Sequence, residues 1–370
     1  MSAPILRRLW LLVAAILIAR AALAQAPAAT LLVLAKSDNT VAIVDPSTLQ
    51  VLARVAAGPD PHEIIASDDG RLAYISNYGG LDSTLNTISV VDLVARTPLP
   101  PIDLGALRST HGLDFAGGKL YFTAETNKVI GRYDPATQRV DWVLGTGQDR
   151  THMILVSKTL DRMFTSNVNS GTISIIEQIS QPNVVQGTPP SLAPGRPEVD
   201  RALEEVRRRE FALTYRLTWE VTNVPAGKGA EGFDVSPDGK EIWVANARDA
   251  TVTIIDVATK KSVQTLPIPV KGANRLKFTP EGKLVLISAL GARAGDTSLV
   301  VIAASTRKEV KQLKLGGGSA GILIDPDGSR AYVAVSTADK IAVVDLKTLE
   351  VVGQINAGKQ PDGLAWAVRK

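Results

Sequence analysis

The chain of 370 residues contains no cysteine. That excludes disulfide scaffolds, thiolate metal sites, iron–sulfur clusters and cysteine nucleophiles. Histidine is nearly as scarce, so any imidazole chemistry must draw on His62, His111 and His152, the only three. Aromatic residues are 5% of the chain and scattered. Trp142, Trp219, Trp243 and Trp366 sit in strand-like patterns and read as packing between sheets rather than as base-stacking platforms. Serine is plentiful, but no G-x-S-x-G elbow accompanies it. Gly316–Gly318 has no helix behind it, which argues against a phosphate loop. A charge excess of one sign is missing too. The net charge is +4, but Arg7, Arg8 and Arg20 lie in the first 24 residues with no acid beside them. Without them 38 basic residues face 37 acidic ones, so nucleic acid is not expected as the main partner.

What is present is globular: 45% apolar and 21% charged residues. The length allows about two ordinary domains, unless the fold is a repeat or a barrel. Residues 1–24 read as a signal peptide. Arg7 and Arg8 form a basic start, Leu9 to Ala19 an apolar stretch, and Ala22-Leu23-Ala24 a cleavage site. The stretch is short for a membrane span. A periplasmic or secreted protein is expected, with no span left after cleavage.

The remaining residues, 25–370, repeat. PHEIIASDDGRLAYISN, THGLDFAGGKLYFTA, THMILVSKTLDRMFTSN, AEGFDVSPDGKEIWVAN, ANRLKFTPEGKLVLISA, SAGILIDPDGSRAYVAV and PDGLAWAV align. Each begins with a small or polar pair and a short apolar run. Most pass through a turn such as SPDGK or TPEGK into a second run. A third run follows (TVAIVD, TISVVD, TVTIIDV, KIAVVD), patterned like a half-buried strand. A fourth follows another turn. Four strands in about 40 to 45 residues are the content of a β-propeller blade. Seven starting positions predict an all-β, seven-bladed propeller of four-stranded antiparallel blades. The chain starts on a second strand (Leu31 to Ala35) and ends on a lone first strand (Leu364 to Val368), so its two ends share one blade.

The strings AYISN, IWVAN, VSPDGK, TVTIIDVATKK and AYVAVSTADKIAVVDLKTLEVVGQINAG resemble the YVTN-type repeat of YncE-like propeller proteins. The resemblance implies this fold over nearly all of residues 25–370. It leaves function open among enzymes, ligand sinks and binding platforms. One departure is an insertion at about 178–213, between the third and fourth strands of one blade. It opens as a Pro/Gly-rich loop. Pro197 to Phe211 then reads as a helix with Val199, Ala202, Leu203 and Val206 on one face.

First strands start at the mouth of a propeller's central channel. At the aligned position stand His62, His111, His152, Glu231, Asn274, Ala320 and Asp362. All the histidines thus fall on one ring, followed by a glutamate. His62, His111, His152 and Glu231 are the expected ligands of a divalent metal such as Zn²⁺, Mn²⁺ or Fe²⁺. Glu231 is also the candidate catalytic base. Arg108, Arg150, Lys228, Lys271 and Lys359 precede that position in the same loops and would draw a small anionic molecule. Asn274 in the ring, and Asn77, Tyr78, Glu125, Asn167 and Asn246 at second-strand ends, complete the expected ligand set. The reading that follows is a metal-dependent lyase or hydrolase. The alternatives are a non-catalytic binding or scaffold protein with a protein partner, and a hydrolase like the lactonases that similar propellers include. Single-stranded DNA binding, found within the YncE-like group, sits poorly with the near-neutral mature charge.

Overall fold

A computed structural model describes residues 29–80, 82–182, 201, 205 and 215–370. Seven four-stranded antiparallel sheets form a β-propeller. The innermost strands are Pro61–Ala66, Thr110–Ala116, Thr151–Val156, Ala230–Val235, Ala273–Phe278, Ile322–Ile324 and Pro361–Val368, and they define the first to seventh blades. The C-terminal strand Pro361–Val368 pairs antiparallel with Ala29–Ala35, Leu31 opposite Trp366. The two ends of the chain therefore close one sheet, and the ring has no free edge at its seam.

The middle strands differ from the half-buried pattern expected of them. In Thr40–Asp45, Thr87–Asp92 and Thr251–Asp256 the four central residues are all buried. The reason is sandwiching: each sheet packs on a neighbouring blade through both faces, so its middle strands need apolar residues without alternation. Solvent returns on the fourth strand, as in Lys308–Leu313, where only the last residue is buried.

Six of the seven first strands are kinked at the channel mouth. Pro61 pairs with Asn77 and Ile64 with Ile75, which leaves one extra residue in the inner strand. The same bulge recurs at Thr110/Leu113, Thr151/Ile154, Ala230/Phe233, Ala273/Leu276 and in the closing strand. A bulge bends the strand and re-aims its side chains. Here it turns the ring residues toward the axis.

The penultimate residue of the second strand holds the bulge. The Thr123 hydroxyl accepts from Gly112 N–H at 2.9 Å and donates to the His152 carbonyl of the next blade at 2.7 Å. Ser76, Ser166 and Ser288 accept from the corresponding amides of Glu63, Met153 and Arg275. Thr123→Val should keep the shape but leave buried backbone groups unpaired. A loss of about 1–3 kcal/mol is expected in urea unfolding.

The third blade carries the departure. Thr172–Pro182 and Tyr215–Pro225 pair over eleven residues each, beyond the length of the other strands. The ladder thus runs through 178–182, where a loop was expected. The connection 183–214 leaves at the Pro182/Tyr215 end, remote from the channel mouth. The helix expected from Pro197 to Phe211 lies outside the described residues, save Arg201 and Glu205.

Candidate metal centre

Three successive bulges bring the histidines together. The rings of His62 and His111 lie 5.1 Å apart and those of His111 and His152 3.6 Å apart. Tyr78, the first residue after its second strand, packs edge-on against both His62 and His111, at 4.8 and 4.9 Å. Glu125 occupies the same slot one blade on. It accepts a 2.7 Å hydrogen bond from the Tyr78 hydroxyl and contacts His152 Nδ1 with its other oxygen. His111, Glu125 and His152 are 2%, 1% and 1% exposed. Their ligand atoms lie within 4.8 Å of one another, and the three could hold a metal ion. Donors about 2.1 Å from one ion sit about 3.4 Å apart in a tetrahedral shell, so binding needs the widest pair to close by at most about 1.4 Å.

Glu231 lies on the far side of His152, its Oε1 3.2 Å from Nε2. Arg150 faces Glu125 at 3.4 Å and Glu231 at 4.0 Å. Its backbone is left-handed, φ 58°, in a slot where Gly229 and Gly272 take that conformation freely. The turn aims the guanidinium into the mouth.

Several contacts here escaped sequence reasoning. Arg275 bonds Glu63 at 2.6 Å. These residues belong to the fifth and first blades, three apart on the shorter way round, so the pair spans the channel. Asp362 and Asp60 flank His62, each 3.4 Å from one ring nitrogen, and Lys36 lies 3.8 Å from Asp60 and 4.0 Å from Asp362. Glu63 and Arg275 sit one residue past the aligned position, and the bulge that gives each strand two ring residues has no local sequence signature. Lys36 was legible, since it fills the slot of Tyr78 and Glu125.

Burial sets the protonation states. It pushes His111 well below the usual imidazole range, aided by the neighbouring His152, His62, Arg275 and Arg150. His111 is thus a neutral imidazole with a free lone pair. Burial works against charge on His152 as well, but Glu125 and Glu231 outweigh it and raise its pKa. Burial would raise Glu231; His152, Arg275 and Arg150 hold it at about 2. Around the mouth five carboxylates (Asp60, Glu63, Glu125, Glu231, Asp362) meet three permanent cations (Lys36, Arg150, Arg275).

Other expected site residues are placed elsewhere. Asn77, Asn167 and Asn246 are buried, and each donates its amide to a Thr and a Ser or Thr of its own second hairpin: Thr87 and Ser89, Thr172 and Ser174, Thr251 and Thr253. Asn274 accepts from Arg275 Nη1 at 3.2 Å. Arg108, Lys228, Lys271 and Lys359 are exposed on the surrounding loops.

No protein-family model and no curated protein matches the chain. Solved structures do match it in fold. A protein of unknown function from Desulfotomaculum acetoxidans is 12% identical, with TM-score 0.68 over 92% of this chain and 99% of its own. A candidate 6-phosphogluconolactonase from Bacteroides uniformis is 13% identical, with TM-score 0.66 over 91% and 99%. Hydrazine synthase of Kuenenia stuttgartiensis is 16% identical, with TM-score 0.61 over 82% and 89%. At these identities the likeness is one of fold.

Proposed function

We propose that this chain is an exported, YncE-like propeller that binds a divalent metal and a small anionic molecule at its channel mouth, and acts on that molecule as a metal-dependent lyase or hydrolase. The observation that carries the reading is His111 Nδ1. It is buried and has no hydrogen-bond partner among the described residues, beside Glu125 and His152. A buried imidazole nitrogen without a partner is costly unless something is meant to meet it.

His111, Glu125 and His152 would hold the ion, with His62 and Glu231 at the edge of the shell. Bound there, a metal supplies Lewis-acid polarisation of a carbonyl or phosphoryl oxygen. The chain's own groups do the rest. Tyr78 donates to Glu125 and orients it, the support that ligating carboxylates generally need. Glu231 is ionised and partly exposed, so it can take a proton from the ligand, but it is a weak base while His152, Arg275 and Arg150 face it and hold its pKa at about 2. The basic start and apolar stretch of residues 7–24 support export.

Metal analysis of protein purified without a histidine tag tests the reading. About one equivalent of a divalent ion per chain is expected. Protein that neither retains nor takes up a divalent ion would end it. Metal without turnover would leave a binding protein. A second reading, a lactonase-like hydrolase, draws on the structural neighbour described as a candidate 6-phosphogluconolactonase. Hydrolysis of a sugar-acid lactone that stops when the metal is stripped would favour it.

A further inference from the structure

Three nitrogen groups converge on one oxygen of Glu231, and none of them forms an aligned hydrogen bond with it. His152 Nε2 is 3.2 Å from Oε1, Arg275 Nη1 3.9 Å and an Arg150 Nη nitrogen 4.0 Å. His152 Nε2 and Arg150 Nε are both buried without a hydrogen-bond partner among the described residues. His152 itself is 1% exposed. A finished structural salt-bridge network satisfies its buried donors, because each one left over costs about 1–3 kcal/mol. Here a carboxylate lies in a cradle of two guanidiniums and an imidazole and fits it poorly.

We infer that the cradle of Arg150, Arg275 and His152 is an oxyanion site, and that Glu231 occupies it until a ligand's carboxylate or phosphate group displaces it. The inference rests on the reading that the channel mouth takes a small anionic molecule, and it names the groups that receive the charge. The surroundings support exchange. Among the described residues the Glu231 carboxylate has no partner other than these three, and its side chain is 15% exposed, so it can leave toward solvent. Arg275 is fixed from behind by Glu63 at 2.6 Å and turns Nη1 to Asn274 at 3.2 Å. The left-handed backbone of Arg150 points its side chain inward. Paired guanidiniums are the usual protein partner for a planar carboxylate or a phosphate. An incoming oxyanion that bonds all three donors would satisfy what Glu231 leaves open.

The test uses inorganic phosphate as probe, with the full chain in EDTA, so that the outcome does not depend on metal. Titration calorimetry compares the wild type with Glu231→Gln, which keeps the size and removes the resident charge. About 10-fold tighter phosphate binding is expected. Asp60→Asn removes one negative charge from the same mouth but not from the cradle, and should change affinity less than about 3-fold. Arg150→Met added to Glu231→Gln should abolish the gain. Glu231→Asp, which withdraws the carboxylate by one methylene, should give a smaller gain and serves if Glu231→Gln does not fold. Equal effects of Glu231→Gln and Asp60→Asn, or a gain that survives Arg150→Met, would overturn the cradle. Phosphate binding to none of the variants, while the wild type still takes up a divalent ion, would overturn the cradle and leave the metal reading standing.

Discussion

Replacing His111 by Ala should lower divalent-metal affinity by about 100-fold while the seven blades stay assembled. His111 is the middle member of the three histidines, its ring 3.6 Å from that of His152 and 5.1 Å from that of His62. His152 is bracketed by Glu125 and Glu231, and His62 by Asp60 and Asp362. His152 Nε2 is also without a hydrogen bond but faces Glu231 at 3.2 Å, whereas the buried His111 Nδ1 has neither a hydrogen bond nor a carboxylate facing it among the described residues. Its removal therefore takes away the donor most available to an ion. The fold should survive because the core lies between the blades, in clusters such as Leu32, Val41, Ile43, Ile64, Ile75 and Val91, away from the channel mouth. Calorimetric titration with Mn²⁺ or Zn²⁺ reads the affinity, and circular dichroism reads the fold. Unchanged metal uptake with a lower melting temperature would make His111 a packing residue.

Much of this was legible in the chain itself, for physical reasons that differ by element. A blade repeats its turns, and P-D-G and P-E-G strings mark them because few residues take those backbone angles. The ring was legible once the repeats were aligned, because equivalent residues of a propeller converge on one axis. The asparagines show where the reading stops. Asn167 bonds residues five and seven places on, and Asn246 does the same. That spacing of Thr and Ser was present in the sequence, yet an asparagine at a strand end looks the same whether it pins a hairpin or meets a ligand. Arg275 shows a different limit. Its partner Glu63 is 212 residues away, and they meet only because both strands bulge toward the same channel. Contacts across a closed ring depend on where the ring closes, which no single repeat encodes.

Gly112→Ala should be strongly damaging for a single added methyl, with a loss of about 3 kcal/mol and weakened metal binding as well. The added Cβ would press into the His152 carbonyl oxygen and lie 2.8 Å from Met153 Cα and 2.9 Å from Ile154 N. All three obstacles are backbone, so no rotamer change relieves them. Nor can the third blade simply step back. Its His152 carbonyl is tied to Thr123 at 2.7 Å, and its inner strand abuts the fourth blade, where the Ser166 hydroxyl donates to the Glu231 carbonyl. A displacement at one joint has to be absorbed around the ring, which the chain termini close as one sheet. Gly232, Gly321 and Gly363 stand at the equivalent joints, each with its missing Cβ against a carbonyl of the following blade. Four of the seven joints thus rely on the absence of a side chain for close approach. Because His152 and Met153 carry the obstacles, the same strain reaches the metal ligands, and both readouts should move together. Gly145→Ala is the control, since a Cβ there meets nothing within 4 Å; it should cost less than about 0.5 kcal/mol. Urea unfolding of the two variants decides the matter: if Gly112→Ala is as mild as Gly145→Ala, the inner strands have room to separate, and ring closure is not what fixes the histidines in place.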